Sequence, residues 1–133
     1  MVINRTTVLI VEGDREMRNL LYEEFWSAGY RLREAQNVNE AVQAVLETPP
    51  DVIVTDLKPS LGAAEYLSLL RSLAPQCPII VMTAFGGAKV RAEVMQSGAS
   101  AYFDKPVRLS DIRAKIEGLL FKSNHRRVCD ANR

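Results

Sequence analysis

Four short apolar runs in this chain are each followed closely by a side chain suited to phosphate chemistry. They are Glu12 behind ValLeuIleVal, Asp56 behind ValIleValThr, Thr83 behind IleIleValMet and Lys105 behind TyrPheAsp. If the runs are strands of a parallel sheet, their carboxyl ends lie side by side, and open α/β sheets bind ligands outside that edge. Two carboxylates, a hydroxyl and an ammonium gathered there would form a pocket for a cation and a phosphoryl group.

The elements that must bring these residues together alternate strictly. A near-continuous apolar run from about Thr6 to Glu12 suits a strand buried on both faces. A helix over about 15–28 follows, with Asp14 as N-cap, Met17, Leu20, Leu21 and Phe25 on one stripe, and Gly29 as its stop. The second strand, Arg31 to Ala35, is mixed in polarity and suits a sheet edge. Asn37 with Glu40 three residues on resembles a capping box, opening a second helix that turns Val38, Ala41, Val42 and Val45 inward and ends at ThrProPro. Strands at 52–56, 79–83 and 101–104 alternate with helices at about 63–73 and 88–97, and a fifth helix is expected after Ser110 as N-cap, carrying Ile112, Ile116, Leu119 and Leu120. This order predicts a doubly wound parallel sheet with right-handed crossovers.

Composition excludes several alternatives. The 133 residues are 47% hydrophobic and 25% charged, which suits one globular domain with a real core, and a net charge of +1 gives no overall footprint for nucleic acid. Lys122, Arg126, Arg127 and Arg133 make residues 122–133 locally basic, and that segment is expected to be a disordered tail behind a domain at 1–121. The two cysteines, Cys77 and Cys129, read as free thiols. His125 is the only histidine and lies in the polar tail, so neither a histidine metal cluster nor a Ser-His-Asp constellation can be assembled. No apolar run approaches membrane-spanning length, MetValIleAsnArgThrThr lacks a signal-peptide core, and a cytoplasmic location is expected. Trp26 and Phe25 are assigned to packing.

Five segments in order carry a resemblance that extends from about Thr7 to Phe121. They are ValLeuIleValGluGlyAsp at 8–14, AspValIleValThrAspLeu at 51–57, MetThrAla at 82–84, GlyAlaSerAlaTyr at 98–102 and LysPro at 105–106. Together they resemble the response-regulator receiver domain of bacterial two-component signalling, and MetThrAlaPheGlyGly at 82–87 is similar to the receivers of enhancer-binding transcription activators. The resemblance implies a flavodoxin-like doubly wound five-stranded parallel sheet, in the order 2-1-3-4-5, with five helices. It also implies that Asp56 accepts a phosphoryl group from a sensor histidine kinase or phosphotransfer protein, that Lys105 pairs with a phosphoryl oxygen, and that Thr83 and Tyr102 form the switch. Mg2+ would be held by Glu12, Asp56 and the Lys58 backbone carbonyl, and Pro106 would follow a cis peptide. A homodimer through the fourth helix, fifth strand and fifth helix is an option, with no membrane contact and no direct nucleic acid binding.

Two departures from the family pattern bear on the metal. Receivers usually place two adjacent carboxylates after the first strand, whereas here Glu12 is followed by Gly13, leaving Asp14 either to reach the site or simply to cap the helix. The loop after Asp56 is about one residue short, and Pro59 biases Lys58 toward extended geometry that could turn its carbonyl away. Magnesium binding is therefore expected to be weak, with Lys58 partly replacing the cation while Lys105 serves the phosphoryl side. The expectation is one phosphoacceptor receiver without an output domain in these 133 residues. The alternative is a degenerate receiver acting as a metal-independent protein-interaction module. A flavin-binding protein of the same architecture would need a Ser/Thr/Gly-rich phosphate loop, and ValGluGlyAspArgGlu stands there instead.

Overall fold

The computed structural model describes residues 6–58 and 62–131, with side chains through residue 122. Ten elements alternate: β1 (Thr7–Val11), α1 (Arg15–Ser27), β2 (Arg31–Ala35), α2 (Val38–Glu47), β3 (Val52–Asp56), α3 (Ala63–Leu73), β4 (Ile79–Thr83), α4 (Ala88–Gln96), β5 (Ala101–Asp104) and α5 (Leu109–Ala131). The strands form one parallel sheet in the order β2-β1-β3-β4-β5, the flavodoxin-like arrangement expected. β2 lies at one edge, which its mixed composition anticipated.

The sheet is apolar on both sides because helices cover both. Leu9, Val11, Ile53 and Val81 pack with Val45, Leu67 and Val94 of α2, α3 and α4. On the opposite face, Val8, Ile10, Val54, Ile80 and Met82 pack with Leu21 and Phe25 of α1 and Ile112 and Ile116 of α5. Each such aliphatic or aromatic side chain contributes about 1.5–3 kcal/mol on burial. That layered core fixes the strand register, pairing Val8 with Val52, Ile53 with Ile79 and Ile80 with Ala101.

The helix starts follow the local chemistry. Asn37 Oδ1 accepts from the Glu40 N–H at 2.9 Å, and Glu40 Oε1 accepts from the Gln36 N–H at 3.1 Å, so the capping box reaches one residue further out than the usual pattern. Gly29, at φ 90°, takes the left-handed conformation that ends α1 cheaply.

Several details differ from the sequence reading. Ser110 does not cap α5: the carbonyl of Arg108 accepts from both Asp111 and Ile112, so the helix already begins at Leu109. Its backbone then continues past residue 121 to Ala131, through a stretch with no Gly or Pro to stop it. Leu20 is 51% exposed and Trp26 62% exposed, because the buried arc of α1 is narrow and is filled by Leu21 and Phe25. Trp26 stacks instead on Tyr22, with ring centroids 6.0 Å apart. Cys77, by contrast, is the free thiol the sequence indicates, and burial pushes its pKa up to about 12. The readings made for Pro59 and for the side chains of His125, Arg126, Arg127, Cys129 and Arg133 lie outside the described residues.

One half-buried cation ties the far edge together. Arg71 of α3 donates from Nη1 to the Cys77 carbonyl at 2.6 Å and from Nη2 to the Gly98 carbonyl, joining α3 to the segments that lead into β4 and β5. Charge-assisted hydrogen bonds of this kind are each worth about 1.5–3 kcal/mol. Arg71→Met keeps the stem and removes these bonds together with a third, from Nη1 to the Pro75 carbonyl at 3.2 Å, so it should lower the unfolding free energy in urea by about 2 kcal/mol or more. An unchanged midpoint and slope would show that water serves those carbonyls equally well.

Candidate functional site

The strand order brings the four chemistry-bearing ends together at the carboxyl edge. β1 and β3 are neighbours across the point where the winding reverses, so Glu12, just past β1, faces Asp56, the last residue of β3. Thr83 ends β4, and the Lys105 N–H donates to its carbonyl at 2.8 Å, which carries Lys105 inward from β5. The Lys105–Pro106 peptide is cis, as the resemblance implied.

Lys105 is the centre of the arrangement. Its Nζ lies 2.6 Å from Glu12 Oε1 and 3.1 Å from Asp56 Oδ1, so one ammonium bridges both carboxylates. This differs from the expectation that Lys105 serves only a phosphoryl group while Lys58 offsets the acids. The reason is burial: Glu12 is 2% exposed and needs a counter-charge in direct contact. Glu12 Oε2 also accepts from the Asp14 N–H at 3.1 Å, and its carbonyl accepts from Arg18 Nη1 at 2.9 Å.

Burial raises the Asp56 pKa above that of an ordinary aspartate; the negative charge of Glu12 adds to this, and Lys105 and Lys58 oppose it. Burial works against the Lys105 ammonium, but its hydrogen bond to Glu12 and the charges of Asp56 and Glu12 outweigh that and hold its pKa above that of a free lysine.

The remaining expected residues sit around this pair. Thr83 is buried, its Oγ1 donating to the Leu57 carbonyl at 2.9 Å and accepting from the Phe85 N–H at 3.0 Å. Tyr102 points along the β4–α4 loop, its hydroxyl donating to Asp104 Oδ1 at 2.7 Å while the Arg91 guanidinium stands 5.9 Å from its ring centre. Asp14 Oδ1 accepts from the Glu16 N–H at 3.3 Å, so its carboxylate is engaged in capping α1. Lys58 is exposed, with its Nζ 3.8 Å from the position a Cβ on Gly13 would take.

Sequence reasoning did not find Asp104, Arg91 or Gly86. A side chain on Gly86 would overlap the Tyr102 hydroxyl and Asp104 Oδ1, so the glycine is what lets those two groups lie across the loop. Tyr102 and Asp104 are two apart on a strand and share a face, a spacing visible in the sequence.

The family profile described as the response regulator receiver domain matches residues 8–117. The chain belongs to the response-regulator receiver family. It is 32% identical over 114 residues to the response regulator MprA of Mycolicibacterium vanbaalenii, a match that spans 85% of this chain and 49% of that protein. It is also 32% identical over 119 residues to sporulation initiation phosphotransferase F of Bacillus subtilis, covering 88% of this chain and 96% of that one. Its fold matches the CheY-like receiver domain of Methanospirillum hungatei with a TM-score of 0.86 at 22% identity, over 92% of this chain and 99% of that structure. The chain spans about half the length of the MprA relatives it matches.

Receiver domains are signalling modules that generally use Mg2+ beside the phosphoacceptor. The side chains here do not fit that ion, which wants octahedral oxygen donors. Glu12 and Asp56 are both engaged by Lys105, Asp14 caps a helix, Gly13 brings no donor, and among the described residues no group of three or more His, Cys, Asp or Glu side chains could hold a metal.

Two predictions test the electrostatics. Lys105→Met strips Glu12 of its counter-charge and should lower stability at neutral pH by about 3 kcal/mol, with Glu12→Gln in the same chain recovering a large part in a double-mutant cycle. Because folding raises the Asp56 pKa, the native state binds that proton more readily than the unfolded chain does. Stability from this group therefore falls as pH rises from 3.8 through the raised value. Asp56→Asn removes that penalty while Lys105 keeps Glu12, so the variant should melt a few degrees above the parent at neutral pH. The gap should close as pH is lowered toward 3.8; a gap that is constant with pH would exclude this origin.

Proposed function

We propose that this chain is a phosphoacceptor switch or relay, charged on Asp56 by the phosphohistidine of a sensor kinase or phosphotransfer protein. The observation that carries the reading is the convergence of Asp56, Lys105 and Thr83 at one carboxyl edge, inside a domain of the receiver family. Asp56 supplies the attacking oxygen, still ionisable and partly open to solvent. Lys105 is within reach of any group bonded to that oxygen and would exchange its Asp56 contact for a phosphoryl oxygen while keeping Glu12. Thr83 would trade its bond to the Leu57 carbonyl for another phosphoryl oxygen. Tyr102, released from Asp104, would then carry the change to the face built from α4, β5 and α5.

That face is the proposed site of partner contact or homodimerisation, and a cytoplasmic location suits a kinase partner. The near-complete match to sporulation initiation phosphotransferase F supports a relay, and the partial match to MprA supports a receiver that controls a longer regulator. A second reading, an interaction module locked in one conformation, is favoured by Gly13 and by the Lys105 bridge.

Exposure to a small acyl phosphate, followed by intact mass, separates the two. The parent chain should gain one phosphoryl group and Asp56→Asn none. A gain that survives in Asp56→Asn would move the acceptor elsewhere, and no gain in the parent would favour the interaction module.

A further inference from the structure

The acceptor site contains its own cations. Gly13 stands where a second carboxylate would help to hold a divalent ion; a Cβ there would lie 3.2 Å from the Gln36 carbonyl and 3.8 Å from the Lys58 ammonium. Resting on the reading of Asp56 as the phosphoacceptor, we propose that this site takes a phosphoryl group without a divalent cation, with Lys58 and Lys105 supplying the positive charge.

Three observations converge on this. Glu12 and Asp56 bring two negative charges and Lys105 and Lys58 two positive ones, so the cluster is balanced before any ion enters. A divalent cation would have to displace the ammonium that already touches both carboxylates, without a third carboxylate to hold it. Beside Asp56, a cleft lined by Glu12, Gly13, Leu57 and Lys58 encloses about 90 Å³, several times the space one water needs. A phosphoryl group on Asp56 would have Lys105, 3.1 Å from Asp56 Oδ1, on one side and Lys58, which lines the cleft, on the other.

The chemistry balances without a metal. With phosphoramidate as donor, an Asp56 carboxylate oxygen bonds to phosphorus as the P–N bond breaks, and the nitrogen, already protonated, leaves with the bonding pair as ammonia. Charge in the transition state spreads over the three equatorial oxygens, where fixed cations stabilise it. Lys58 reaches the group from an exposed position, so changing it leaves the buried Glu12–Lys105 contact in place.

The test follows mass gain from phosphoramidate in EDTA and in Mg2+, for the parent chain, Lys58→Met and Lys58→Arg. The parent rate in EDTA should lie within about threefold of that in Mg2+. Lys58→Met should be at least about tenfold slower in EDTA, and Lys58→Arg should keep most of the rate because the charge is kept. A parent that labels Asp56 only with Mg2+ overturns the proposal and leaves the phosphoacceptor reading standing. Equal rates for the parent and Lys58→Met in EDTA also overturn it, since the lysine is then not needed. No labelling of Asp56 in either buffer removes both readings together.

Discussion

The contact of Lys105 with Glu12 and Asp56 joins residues from the ends of β5, β1 and β3, and the carboxyl edge of the sheet is organised around it. A carboxylate as buried as Glu12 is tolerable only while an ammonium touches it. The same ammonium favours the ionised form of Asp56, against burial and the charge of Glu12, which together raise its pKa. Any event that draws Lys105 toward a new anion must therefore be felt at Glu12, and through its carbonyl and Oε2 at Arg18 and the first turn of α1.

The rest of the molecule divides into a part that cannot yield and a part that can. The strands between the two helical layers are packed on both faces, and Arg71 fastens the opposite edge through the Cys77 and Gly98 carbonyls. The β4–α4 loop is held more lightly. Phe85, Gly86 and Gly87 are exposed, and α4 begins at Gly87 without a side-chain cap. Thr83 and Tyr102 flank this loop, each held by exchangeable hydrogen bonds, so the movable groups sit on a rigid frame.

Most of the fold was legible because its signals are local and periodic. Apolar runs of strand length, Asp14 and Asn37 as caps, and Gly29 as a stop each act over a few residues, and they placed all five strands and the sheet edge at β2. The N-terminus of α5 and the exposure of Leu20 and Trp26 depend on which carbonyl closes a turn and how wide an arc a neighbour covers, and neither is written in one segment. At the site, the four residue types at the strand ends were readable, whereas the partner of each was not. Two acids and two lysines permit several pairings, and only the depth of Glu12 selects Lys105.

The overlap at Gly86 gives this position a memory of the resting state. A single methyl group there would occupy the space now held by the Tyr102 hydroxyl and the Asp104 carboxylate. The pose of the Tyr102 ring is therefore held in part by a missing side chain on a different element. Any side chain at position 86 would force the tyrosine hydroxyl and the aspartate carboxylate to swing aside together.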